Sequence, residues 1–235
     1  MNAVDLHCHL LPGVDDGPEW LEESLEYARA AVTAGTRTIV ATPHVERVEV
    51  RELPDRVQEV RAALASEGID LRVEVGGELR PQSIGELSQE ELEIIAHGPP
   101  GARWLLYEVP FPGVDEAFAE GALELRRRGF GVLLAHPERS RDILEGGLER
   151  LDPLLAEGAL VAANVGPLSG GEGDGRRAAA EHLLRRGAID LVATDAHPPR
   201  RPWQLAGVRE MTGDAHARLT SEAPARLLRE GLPAG

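Results

Sequence analysis

Two histidines separated by one residue open the chain, in Asp5-Leu6-His7-Cys8-His9-Leu10-Leu11-Pro12-Gly13-Val14-Asp15-Asp16-Gly17. On an extended segment alternate side chains share a face, so His7 and His9 point the same way and Cys8 the other. Two imidazoles on one side can share a metal, and zinc, iron and manganese all accept such ligands. Asp15 and Asp16 could join them or hold a second ion. Further along, His44, Glu78, Glu108, His136, Asp195 and His197 each follow a short apolar run. The elements that carry these residues decide whether they meet.

One phrase repeats along the chain: an amphipathic helix, a glycine, a short apolar strand, then polar residues. Seven strands are expected at 3–7, 38–42, 71–76, 104–109, 131–135, 160–164 and 190–194. Most are nearly continuous in Val, Leu, Ile and Ala, the pattern of parallel strands buried on both faces. Helices are expected at 18–34, 54–67, 86–96, 115–128, 147–157, 176–186 and 221–230, with Pro18 as the first residue of the first. Gly35, Gly68, Gly129, Gly158 and Gly187 fit left-handed helix stops. Alternating strands and helices imply a parallel sheet, and no Gly-x-Gly-x-x-Gly follows any strand, which argues against a dinucleotide fold. The expected fold is α/β, a distorted (β/α)7 TIM-like barrel in a single domain over 1–235. Gly170–Gly175 reads as a flexible loop too short to divide it.

In such a barrel the C-terminal strand ends converge on one mouth. Six of the seven strands end in a candidate ligand there, and the sixth ends in Asn164. His136 and His197 precede Pro137 and Pro198, which predicts extended backbones for both. His44 follows Pro43.

The composition is that of a folded globular protein, with 42% hydrophobic and 28% charged residues among 235. All 25 basic residues are arginine, and the formal net charge of −15 argues against binding to nucleic acid or anionic lipid. No apolar run is long enough for membrane insertion, and no N-terminal signal region is visible, so a cytoplasmic location is expected. Arginines in the last turns of helices complement the helix dipole. Cys8 cannot form an intrachain disulfide. As a phosphatase nucleophile it would need an arginine six residues on, where Val14 stands, so it is expected to pack. His97, His182 and His216 fall in helix or turn contexts and are expected to be solvated. Trp20, Trp104 and Trp203 are expected to pack, with Trp203 near enough to Arg201 to line the mouth.

The stretches DLHCHLLPGVDDGPE, TIVATPH, VGGE, LYEVP, LLAHPER and VATDAH, in order over residues 5 to 197, resemble the PHP-superfamily metal-dependent protein-tyrosine phosphatases of bacterial capsule and exopolysaccharide loci. The resemblance implies three divalent ions, manganese foremost with iron or zinc as alternatives. It places the first on His7, His9, Glu108 and Asp195, the second on Glu78, Glu108 and His136, and the third on Asp16, His44 and His197, with Glu108 bridging the first two. It implies phosphate-binding arginines at Arg139 and Arg201, with Arg200 beside the latter and either able to turn inward. Asp15 and Glu138 are expected to orient ligands. Four carboxylates against three divalent ions leave the pocket net positive within an acidic chain, which draws a phosphate dianion to that spot. The ions would polarise phosphoryl oxygens and activate a water for attack on phosphorus. The implied substrate is the phosphotyrosine tail of a bacterial tyrosine kinase. The alternatives are a small-molecule phosphoesterase of the histidinol-phosphate phosphatase kind and a non-catalytic metal-binding partner of the kinase.

Overall fold

The computed structural model describes residues 2–234. Its strands are β1 (Ala3–Cys8), β2 (Thr36–Ala41), β3 (Arg72–Val75), β4 (Glu78–Leu79), β5 (Trp104–Glu108), β6 (Gly131–Ala135), β7 (Leu160–Asn164) and β8 (Leu191–Ala193). All ladders are parallel, in the orders β1-β2-β3 and β4-β5-β6-β7-β8. Single bridges join the two sheets, His44 to Glu78 at one seam and Cys8 to Ala196 at the other. The sheet therefore rolls into a distorted barrel whose two seams are stitched beside the candidate ligands rather than along whole strands.

One seam explains why eight strands stand where seven were expected. A Cβ on Gly76 would lie 2.5 Å from Val40 Cγ1, and one on Gly77 would lie 2.8 Å from Val45 Cγ1. The chain passes that close to β2 only because both residues lack side chains. Beyond the glycines it leaves β2 and resumes as β4 against β5. Glu78 is thereby carried to the centre of the mouth.

Side chains separate into an inner and an outer layer. Val4, Leu6, Val40, Trp104, Leu106, Leu133, Ala162, Leu191 and Ala193 form the inner cluster, sealed by Ala223 and Leu227 of the helix Ala223–Glu230. Trp104 Nε1 donates to the Leu227 carbonyl at 3.2 Å, so this helix plugs the end where the strands begin. The opposite end is left to polar residues. Cys8 lies in the outer cluster, wholly buried, as packing predicted. Burial pushes its thiol well above the ordinary range.

Helix α1 (Leu21–Thr33) begins three residues later than Pro18 predicted. The Gly13 N–H donates to the Pro18 carbonyl, and Glu23 reaches back to the N–H groups of Glu19 and Trp20. These contacts keep Pro18 in the preceding loop. The helix expected at 147–157 is split into a 3-10 turn, Leu148–Arg150, and a short helix, Asp152–Ala156, that takes Pro153 in its first turn.

Four further expectations change. His97 pairs its backbone with Trp104, packs its ring 5.1 Å from that indole and is only partly exposed. His216 is buried, with Nδ1 against the Thr212 hydroxyl. Both were expected in solvent; His182 is exposed as expected. Trp20 is exposed rather than packed. The glycine loop at 170–175 is pinned by Glu172, and a Cβ on Gly171 would meet the Trp203 ring at 2.3 Å.

Candidate metal centre

Each ligand candidate reaches the mouth from a different strand end. His7 lies on β1 and His9 just past it, at an irregular register between Asp5 and Cys8. The main chain here is tied to the end of β8: Asp195 N–H donates to the His7 carbonyl at 2.8 Å and His9 N–H to the Ala196 carbonyl at 2.9 Å. Buried Asp5 accepts from the Thr194 N–H at 3.0 Å and from its hydroxyl. Burial raises the Asp5 pKa to about 6 despite those donors.

Glu78 stands at the centre. Its Oε2 is 3.3 Å from His7 Nε2, 3.3 Å from His9 Nε2 and 3.1 Å from His44 Nδ1, while Oε1 is 2.9 Å from His136 Nε2. Asp195 Oδ1 lies 3.4 Å from His7 Nε2 and 3.3 Å from His9 Nε2. Asp16 Oδ1 lies 3.5 Å from both His44 Nε2 and His197 Nε2. Four overlapping groups are close enough to hold an ion: His7, His9 and Asp195; His7, Glu78 and His136; His44, Glu78 and Glu108; and His9, Asp16, His44 and His197. All nine residues expected as metal ligands converge on one mouth.

Glu108, expected to bridge two ions, groups with His44 and Glu78, with its Oε1 3.9 Å from His136 Nε2 and its Oε2 ion-paired with Arg80 Nε. Glu78 touches four of these five histidines, because the Gly76-Gly77 crossing sets β4 between β2 and β5.

The donor set fits cations. Donor atoms about 2.1 Å from one ion stand roughly 3.4 Å apart in a tetrahedron, which is the spacing seen here. Glu78 Oε2, His44 Nδ1, Asp16 Oδ1 and His197 Nε2 are buried without a hydrogen-bond partner. Leaving such atoms unpaired is costly, and a cation satisfies several at once. Burial and the neighbouring Glu78 carboxylate together push the Glu108 pKa up, a repulsion that a divalent ion removes.

The ring orientations are set from behind. His9 Nδ1 lies 2.6 Å from Asp15 Oδ2, and His197 Nδ1 lies 2.9 Å from the Asp195 carbonyl oxygen. With Nδ1–H donating backward, each Nε2 presents its lone pair to the cage. Burial opposes charge on His9, but Asp15, Asp195 and Glu78 outweigh it and raise its pKa well above the ordinary value. Glu138 accepts from the Asn164 N–H at 2.7 Å, and burial pushes its pKa to about 7. His136 is not extended as Pro137 predicted: it is left-handed, with φ 38°. Its N–H donates to the Ala162 carbonyl and its own carbonyl accepts from Arg139, which hold this sparsely populated conformation and turn the ring toward Glu78.

Arg139 is buried between Asp195 and Glu172. Arg201 lines the cavity over the ligands, whereas exposed Arg200 donates to the Asp16 carbonyl at 3.1 Å. A single antiparallel bridge, with a backbone hydrogen bond in each direction, pairs His197 with Arg201. Four contributors were not singled out from sequence. Arg80 follows Glu78 at i+2, on the same side of the strand, which is a legible signal. Asn164 donates to Asp195 Oδ2 at 3.0 Å, so the strand end without a ligand holds a ligand in place. Glu172 reaches Arg139 only because Gly166 leaves room, a Cβ there falling 2.3 Å from Glu172 Oε1. Phe111 stands with its ring 5.6 Å from that of His136.

The family model described as capsular polysaccharide synthesis, CpsB/CapC, matches residues 3–228. The chain belongs to this family. This CpsB/CapC member is 35% identical over 198 residues to the tyrosine-protein phosphatase YwqE of Bacillus subtilis, covering 83% of the chain and 77% of the relative. It is 29% identical to the putative tyrosine-protein phosphatase CapC of Staphylococcus aureus, covering 86% and 80%. It superimposes with a TM-score of 0.81 at 29% identity on a chain from the solved structures of YwqE of Bacillus subtilis and CpsB of Streptococcus pneumoniae, called unique metal-dependent tyrosine phosphatases, covering 98% and 96%. A phosphotriesterase homology protein from Escherichia coli, at 14% identity and TM-score 0.55, shares the fold.

Proposed function

We propose that this chain is a metal-dependent phosphomonoesterase that removes phosphate from phosphotyrosine in protein, its substrate being the tail of a bacterial tyrosine kinase of capsule or exopolysaccharide assembly. The observation that carries the reading is the convergence of five histidines and four carboxylates on one cavity that also receives Arg139 and Arg201. The names of the curated relatives support the choice of substrate.

In this reading His7, His9, Asp195 and Glu78 would hold one ion, Glu78, His136 and Glu108 a second, and Asp16, His44 and His197 a third. Manganese is the leading candidate, with iron or zinc compatible with the same donors. Bound ions would supply Lewis acidity to the phosphoryl oxygens and a water acidic enough to ionise near neutral pH.

The chain's own residues do the rest. Arg139, held by Asp195 and Glu172, has N–H groups left over for equatorial phosphate oxygens, where charge spreads during transfer. Arg201 presents a second guanidinium at the mouth. Asp15 keeps the His9 ring in its ligating tautomer. A phenol of pKa about 10 leaves without a dedicated acid, and no side chain is assigned that role. A cytoplasmic location belongs to the same proposal, since kinases that use ATP make the substrate there; no helix is long and apolar enough to cross a membrane among the described residues.

The deciding experiment compares a phosphotyrosine peptide with histidinol phosphate as substrates of the manganese-loaded protein. The peptide is expected to be preferred at least tenfold in kcat/KM. Preference for histidinol phosphate would overturn the substrate, and tight binding of a kinase tail without phosphate release would overturn catalysis.

A further inference from the structure

Beside the metal cage lies a second cavity of about 510 Å³, walled by Arg80, Pro81, Gln82, Pro110, Phe111 and Pro112. Arg80, Glu108 and Phe111 line both spaces, so the groove is continuous with the cage. The cage itself offers about 100 Å³. That is about a fifth of the neighbouring space. A group that carries the phosphate can extend from the cage into the neighbouring space, whose size is typical of a ligand pocket.

Phe111 forms the boundary. It is 42% exposed, a large hydrophobic residue left open to solvent. Pro110 and Pro112 flank it and restrict the backbone on both sides. The Gly113 N–H donates to the Pro110 carbonyl at 3.2 Å, the Phe111 carbonyl accepts from the Arg141 N–H at 2.9 Å, and Asp142 Oδ2 accepts from the Val114 N–H at 2.8 Å. The ring also lies under the Arg139 guanidinium, whose central carbon is 5.0 Å from the ring centroid. A rigidly held aromatic therefore touches a metal-ligand candidate and a phosphate-binding arginine while the rest of it faces an open groove.

We infer that Phe111 is a specificity-determining residue: the substrate's tyrosyl ring packs on its exposed face, and the adjoining peptide lies along Pro81, Gln82 and Pro112. An aryl phosphate suits this geometry because its stiff ring spans from the cage to the groove. The short alkyl stem of phosphoserine would draw the peptide backbone against the rim and leave the groove empty. Aromatic pairs favour ring separations of about 4.5–7 Å, a spacing Phe111 already keeps with His136. The inference rests on the phosphotyrosine reading above and names the residue that enforces it.

The test is calorimetric binding of a peptide bearing phosphonomethylphenylalanine, a non-hydrolysable phosphotyrosine analogue, to the manganese-loaded protein. Phe111→Ala is expected to weaken binding tenfold or more with unchanged ion content and melting temperature, while Phe111→Trp stays within threefold of the native protein. In turnover of the phosphotyrosine peptide, Phe111→Ala is expected to raise KM far more than it lowers kcat. Equal affinity of Phe111→Ala and the native protein overturns the inference, as does a native protein that binds no analogue. The two readings fail separately. Phe111-dependent binding without hydrolysis of phosphotyrosine would remove the proposed activity and keep the subsite, whereas hydrolysis that is indifferent to Phe111 would do the reverse.

Discussion

Asp15 Oδ2 stands 2.6 Å from Nδ1 of His9, so one member of the Asp15-Asp16 pair holds a ring from behind while the other faces the cage. Adjacent carboxylates thus take opposite duties, and the turn that separates them is tight. Asp15 Oδ2 also accepts from the His44 N–H at 3.1 Å, which ties two ligand-bearing segments to one carboxylate.

Asp15→Asn should therefore weaken metal binding by about 10- to 100-fold without removing a ligand. Competition with a metal-binding dye would measure it, and excess manganese should restore most of the activity. Affinity equal to that of the native protein would show that Asp15 does not orient His9.

The central place of Glu78 separates it from Glu108. Glu78→Gln should cost at least two ions per chain by elemental analysis and reduce phosphatase activity by more than about 10³, the scale on which losing electrostatic stabilisation operates. Glu108→Gln should nearly abolish activity while costing no more than one ion. The opposite order of ion loss would return the shared position to Glu108.

Gly17 sits where a Cβ would fall 2.6 Å from the His9 carbonyl oxygen and 3.1 Å from Asp15 Oδ1. Gly17→Ala must push the Asp15-Asp16 turn away from His9. At least a tenfold loss of affinity for the most weakly held ion is expected, read by metal titration, with the melting temperature of the metal-free protein changed far less.

Arg139→Lys keeps the charge but loses the planar fork. A fall of about 100-fold in kcat/KM for a phosphotyrosine peptide is expected, with ion content unchanged. Retained activity would mean that Arg139 serves only to hold Asp195 and Glu172.

His97, which is outside the candidate ligand set, gives a pH dependence of its own. Burial, followed by the nearby Arg103 charge, lowers its pKa to about 4. On acidification the unfolded chain takes up this proton first, so the contribution to stability is present above about pH 6.5 and is lost as pH falls toward 4. Allowing for the partly exposed ring, the loss is of the order of 2 kcal/mol. Urea unfolding of the metal-free protein between about pH 7.5 and 4.5 should show a smaller pH dependence in His97→Phe by that amount. Identical slopes would place His97 in solvent.

How much of this was legible depended on whether a residue's role followed from its strand. His7, His44, Asp195 and their companions were readable because parallel strands bring their C-terminal ends to one rim, whatever the details of packing. The central place of Glu78 among the histidines was not, because it depends on how closely Gly76 and Gly77 approach Val40 and Val45, a tertiary distance with no local signature. His136 went against a sound local rule: hydrogen bonds to Ala162 and Arg139 outweigh the restriction that Pro137 imposes. Glu172 was hidden in a glycine run that looked flexible, and only the gap left by Gly166 shows why it is ordered. His97 and His216 illustrate the same limit, since a lone histidine carries no mark of burial until its neighbours are known.

Phosphate release from a phosphotyrosine peptide, followed with and without chelator and paired with elemental analysis of the same sample, addresses the account at its root. The prediction is about three divalent ions per chain, turnover lost on chelation, and turnover regained when manganese is returned. Turnover that persists in chelated, metal-free protein would contradict it.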